Sequence, residues 1–158
     1  MPDPIREQIT DALVTALQTV TVANGYRNTI TTVDVLAMDW TNPDMTHSTL
    51  PWGGVIMGEE QAQYLPMGAR KVDWNFTLVV HFELSTRTSD GLKSACEAWR
   101  TDLIRAVHAD ASLGVEGVSF VNVDKVETAQ GSMAAIEANR GGVQLTGKVR
   151  FTELVTAA

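Results

Sequence analysis

The chain has 158 residues, 44% hydrophobic and 20% charged, with a single cysteine and a formal net charge of −7. This is the balance of one ordinary globular domain, and it excludes a disordered chain. The lone Cys96 excludes an intrachain disulfide and a structural zinc site, and fits a reducing compartment. The acidic surface repels phosphates on average, which disfavours a nucleic-acid binder but not a channel through which DNA merely passes. No apolar run approaches the roughly 20 residues of a membrane span. Met1-Pro2-Asp3-Pro4 lacks the basic-then-apolar order of a signal peptide.

The first predicted element is a helix from about Pro4 to Val22, with Asp3 as cap and Pro4 at its first position. Ile5, Ile9, Leu13, Ala16, Leu17 and Val20 form its apolar stripe, and Asn24-Gly25 ends it. Thr29 to Met38, rich in β-branched residues, reads as a strand, and Asp39 to Pro51 as a loop. Val55, Ile56 and Met57 mark a short strand over Gly53 to Gly58. Glu59 to Arg70, with Pro66 and Gly68, reads as a second connection.

The strongest signal follows. Val72, Trp74, Phe76, Leu78, Val80, Phe82 and Leu84 alternate with Asp73, Asn75, Thr77, Val79, His81 and Glu83. Period two sustained this long is a strand of about 40 Å with one buried face. The other face is expected to stay wet, which implies an antiparallel sheet. A second helix spans about Asp90 to His108, capped by Thr88 or Ser89. Its stripe is Leu92, Ala95, Cys96, Trp99, Leu103, Ala106 and Val107, and Lys93 with Glu97 and Asp102 with Arg105 are spaced for surface pairs. Val118 to Glu127 is a strand whose alternation breaks at Asp124-Lys125, a sign of a bulge or of an early end. Thr128 to Arg140 leans towards a loop, with Met133 to Ala138 open to a helical turn or a strand, and Val143 to Phe151 reads as a closing strand with Gly147 at an inward position. The order α-β-β-β-α-β-β predicts one α+β domain over residues 1–158: a mixed, mainly antiparallel sheet with two helices on one face.

No catalytic or cofactor motif emerges, so no enzyme activity and no cofactor are expected. His47, His81 and His108 have no partner at ligand spacing, and His108 suits a helix C-terminus. Cys96 sits on an apolar stripe and reads as core. Gly53-Gly54 and Gly141-Gly142 do not continue into a phosphate loop; they read as turns or as places of close backbone approach. The loop acids Asp39, Asp44, Glu59 and Glu60 read as solvated. Lys148 and Arg150 share a polar strand face without interleaved aromatics, so a solvated or subunit-facing strand outweighs a DNA contact. Trp40, Trp52 and Tyr64 precede the long strand and are either loop anchors or interface residues, with anchoring ahead for Trp52.

This layout resembles the tail-terminator, or tail-completion, proteins of long-tailed phages and prophages. The likeness rests on the opening Ile5-Arg6-Glu7-Gln8-Ile9 helix, the aromatic loop ending Pro51-Trp52 and the strand Val55-Ile56-Met57-Gly58-Glu59-Glu60. It continues through the loop Tyr64-Leu65-Pro66-Met67-Gly68, the long strand opening Lys71-Val72-Asp73-Trp74, and the closing Val143 to Phe151. The resemblance implies a structural virion protein at the head-proximal end of the tail, assembled in the host cytoplasm. Family members form hexameric rings that cap the tail-tube protein, stop its polymerisation and offer a docking surface to the head-completion or neck protein. DNA is then only passing cargo, and no membrane is involved. A head–tail connector subunit is the nearest alternative, and a small-molecule-binding α+β domain a more distant one. Trp40, Trp52, Tyr64, Asp73, His81 and Glu83 are the expected interface residues, with the wet face of the long strand foremost.

Overall fold

The computed structural model describes residues 4–36, 50–84, 88–128 and 140–154. Its elements run α1 (Ile5–Gln18), a short 3-10 turn (Val22–Asn24), β1 (Thr32–Leu36), β2 (Trp52–Tyr64), a 3-10 turn (Pro66–Gly68) and β3 (Ala69–Glu83). They continue through α2 (Ser89–Val107), β4 (Val118–Thr128) and β5 (Arg140–Leu154). The sheet order is β1-β2-β3-β5-β4; β1 runs parallel to β2 and every other pair is antiparallel. This is the expected α+β fold in the expected order of elements.

The alternation of β3 decides where the core lies. Val72, Trp74, Phe76, Leu78, Val80 and Phe82 are buried on the helix side, against Ile9, Leu13 and Leu17 of α1 and Leu92, Trp99 and Leu103 of α2. The Phe82 and Trp99 rings stack at 5.6 Å between centroids. Gly147 of β5 is required at its inward position: a Cβ there would lie 2.3 Å from the Asn122 carbonyl oxygen and 2.7 Å from the Phe76 ring. Gly141 likewise lies against Phe82, with 2.5 Å available for a Cβ. Both glycine pairs fall inside strands, where close approach and not a turn explains them.

The helix ends follow local chemistry. Thr88 caps α2 by accepting from the Gly91 N–H at 3.0 Å. α1 starts after Pro4 without a side-chain cap, and the expected cap Asp3 lies outside the described residues. The helix ends at Gln18, short of Val22. Thr21 then caps the 3-10 turn, and Gly25 at φ +90° leaves it. β1 is shorter than its β-branched run, as described from Thr32 to Leu36. β4 carries the bulge expected near Asp124, between Val123 and Lys125, and a second between Val118 and Phe120. The loop over 129–139 and nearly all of that over 39–51, with Asp39, Trp40, Asp44 and His47, lie outside the described residues.

Two expectations are corrected. The short strand Gly53 to Gly58 is the first half of a 13-residue strand. What reads as a connection after Glu59 pairs with β3 as far as Tyr64 opposite Arg70, past a bulge between Met57 and Glu60. Residues 58–64 are exposed along their length, so the sequence there shows no apolar alternation. Asp102 does not pair with Arg105 on the surface. It is buried, and its carboxylate accepts from the Arg27 and Asn28 N–H groups and from Asn28 Nδ2 at 2.8–3.2 Å. Arg105 instead donates to the Gly25 carbonyl at 2.8 Å and lies over the Tyr26 ring.

Candidate assembly surface

The expected wet face of β3 is only partly wet. Val79 and His81, on the side away from the helices, are buried. Trp52, opposite His81 in the β2–β3 register, is buried as well. Its indole N–H donates to Asp34 Oδ2 at 2.7 Å, and its ring lies 5.3 Å from that of His81. Gly54 makes this possible, because a Cβ there would come within 2.6 Å of the Trp52 ring. Trp52 is thus a loop anchor, and His81 belongs to a small packed cluster beneath the sheet. Neither is exposed, which corrects the expectation that His81 stands on a wet face. The physical reason is a glycine lane, Gly54 and Gly142 flanking Val79 and His81, that lets the Trp52 ring lie across the sheet.

Asp73 is engaged across the sheet. Arg150 Nε and Nη2 donate to its two carboxylate oxygens at 2.7 and 3.0 Å, and the guanidinium also lies over Phe120. The Arg150 hydrogen bonds hold the Asp73 carboxyl below its ordinary value, against the opposing effect of burial. Lys148 remains exposed beside this pair. Glu83 is exposed at the end of β3, opposite Arg140 of β5.

Tyr64 stands at the other end of the sheet, and around it the sequence reasoning missed the larger feature. β1 covers β2 only from Trp52 to Ile56, so among the described strands β2 has no outer neighbour from Met57 to Tyr64. β2, β3 and β5 run on together past the end of α1, to the pairs Tyr64–Arg70 and Ala69–Leu154. They form a three-stranded arm. Its tip exposes Tyr64 (74%), Met67 (94%) and Leu154 (76%). Met67 has φ +67°, a left-handed conformation that costs a side-chain-bearing residue free energy. The sequence signal was Pro66-Met67-Gly68, which announces a turn but not its exposure.

An ionic network joins the arm to the domain. Arg6, at the start of α1, donates to Glu60 of β2 and Glu153 of β5, and Arg70 of β3 donates to Glu153, all at 2.5–3.2 Å. Arg6 also lies over the Phe151 ring. The Glu153 carboxyl is held below its ordinary value, first by the Arg6 hydrogen bond and then by Arg70, against the opposing effect of burial. Arg6 is correspondingly raised by Glu153 and Glu60. Glu60 is therefore no solvated loop acid but a strand residue in this network.

Chemistry of other kinds finds little support. Cys96 is buried, its sulfur 3.8 Å from the Gly142 carbonyl oxygen. Among the described residues no group of three or more His, Cys, Asp or Glu side chains is placed to hold a metal ion. No helix among them is long and apolar enough to cross a membrane. No protein-family model and no curated protein matches the chain.

Proposed function

We propose that the protein is a structural subunit of a phage virion, a tail terminator that assembles into a ring, caps the tail tube and stops its growth. The observation that carries this reading is the three-stranded arm, with a β2 edge that no described strand covers from Met57 to Tyr64 and an exposed Tyr64–Met67–Leu154 tip. A monomer gains nothing by holding Met67 in a left-handed conformation and in water; a subunit that buries the tip against a neighbour does. The element order supports the same reading, since it follows the terminator-like layout from the α1 helix to the closing strand. The ring is a homo-oligomer, a hexamer by the resemblance, with one face for the tube protein and the other for the neck. The function is geometric and non-enzymatic, and the site of action is the head-proximal end of the tail.

Mixing the purified chain with polymerising tail-tube protein tests this. Negative-stain images should show rings on tube ends and tubes arrested in length. Tubes that grow unrestricted with bare ends would sink the terminator reading. Binding to a head-completion protein instead would move the subunit to the connector.

A further inference from the structure

The geometry points to a head-to-tail contact in which the arm tip of one copy enters the cleft between α1 and α2 of the next. This rests on the ring reading and specifies how its subunits join. The cleft has a volume of about 170 Å³ and is lined by four alanines (Ala12, Ala16, Ala106 and Ala109) and Leu113, with Thr15, Thr19 and Asp110 completing it. Its mainly apolar walls suit one long unbranched side chain, and methionine adapts well to such irregular gaps. Met67 is the most exposed large apolar residue of the tip.

A chain cannot fill its own cleft. Arg6 of α1 stands beside Glu60 of β2, while Leu17 stands beside Gly53, so α1 runs back along β2 away from the tip. From the Arg6 level the cleft lies about 9–20 Å along the helix. Arg6 also reaches Glu153, level with Arg70 and Tyr64, so the tip begins at the Arg6 level and extends the other way. Knob and hole thus occupy different places on one molecule, and the contact between two copies is heterologous. Such contacts either close into rings or propagate as filaments.

Charge favours the same partner. Lys71 near the tip and Lys148 further along the arm have no ion pair among the described residues, against one such anion, Glu59, so the arm's unpaired charge is positive. The rim carries Asp110, whose carboxyl is held below its ordinary value by the Ser112 backbone and hydroxyl donors. Asp11 adds a further negative charge on the neighbouring face of α1. Arg105, at the end of α2, is turned onto Tyr26 and the Gly25 carbonyl. The tip side chains offer on the order of 400 Å², well below the ~800 Å² per partner of a stable pair. A single contact is therefore weak, and stability comes when every subunit makes two.

Sedimentation of the full chain and two variants tests this. Met67→Asp spoils the tip, and Ala109→Arg, at an exposed position, spoils the cleft; thermal melts verify that each stays folded. The wild type should self-associate as concentration rises, and each variant alone should remain monomeric. An equimolar mixture of the two should go no further than a weak heterodimer, seen at the highest concentrations, since only one intact tip and one intact cleft remain. For weak association, Met67→Cys with Ala109→Cys in a Cys96→Ala background should give a ladder of disulfide-linked multimers under mild oxidation. Wild-type association in either variant would overturn the contact, as would a wild type that stays monomeric while the double-cysteine chain gives no ladder. Capping of tubes that survives both variants would overturn the contact and leave the terminator reading standing. The heterodimer result without any tube binding would do the reverse.

Discussion

The helix-covered part of the sheet and the arm are made from the same three strands, yet they obey opposite energetics. In the covered part, β3 places Phe76, Leu78 and Val80 under the helices, fully buried. In the arm, β2 is exposed along residues 58–64 and the tip is apolar. The first region is held by removing apolar surface from water. The second is held by backbone pairing and by the Arg6–Glu60–Glu153–Arg70 network that runs along it from Glu60 towards the tip. The difference teaches that the long strands serve two purposes: their middle builds a domain, and their ends reach beyond it.

The sharpest break in this comparison comes from one truncation made in each region. Phe76→Ala removes a buried ring from the centre of the core and should cost about 3–5 kcal/mol in urea unfolding. Tyr64→Ala, on the exposed arm, should stay within about 0.5 kcal/mol of the wild type. Equal losses would mean that the arm is packed after all.

Next in size is Asp102→Ala. The buried carboxylate satisfies two backbone N–H groups of the segment before β1, and nothing else described reaches them. The variant should lose about 2–3 kcal/mol, and the amides of Arg27 and Asn28 should exchange faster with solvent. Unchanged exchange at both would show that the carboxylate does not hold this segment.

The covered region was largely legible in the sequence and the arm was not, for a physical reason. Burial on one face leaves an alternating record, and Val72 to Leu84 carries it clearly. The same record gave α1, α2, β5 and the inward Gly147. A strand wet on both faces leaves no such record, so Glu59 to Tyr64 resembled a loop and half of β2 went unseen. His81 misled in the opposite direction: its polarity put it on the wet face, where it does lie, but Trp52 and the glycine lane bury that end. Asp102 misled because its spacing to Arg105 is that of a surface pair, whereas its partners lie about 75 positions earlier in the chain. Local spacing carries no trace of partners so distant. Of the exposed tip, Tyr64 alone stands among the residues singled out from sequence, since exposure of an apolar side chain in a turn has no pattern of its own.

A smaller effect tests the junction between the two regions. Glu153→Gln weakens the bonds from Arg6 and Arg70 and should cost about 1 kcal/mol at neutral pH, less in high salt. The Glu153 carboxyl lies below its ordinary 4.5 in the folded chain, so its contribution is fully present above that pH. It is lost as the pH falls below 4.5 through the lower folded value. The gap between wild type and variant should therefore close on acidification. A gap that persists at low pH would assign the loss to packing and not to charge.

The smallest effect on stability has the opposite sign, and it separates the arm's role from its cost. Glycine accepts φ +67° freely, so Met67→Gly relieves backbone strain while adding flexibility to the unfolded chain. The net should fall between no change and about 1 kcal/mol of stabilisation, read as a small rise in melting temperature. Self-association should nevertheless fall, because the side chain that enters the neighbour's cleft is gone. A residue whose removal leaves the monomer no worse and the assembly weaker is kept for the assembly. A destabilised monomer would instead make Met67 part of the fold, and the arm an extension of the core with no separate purpose.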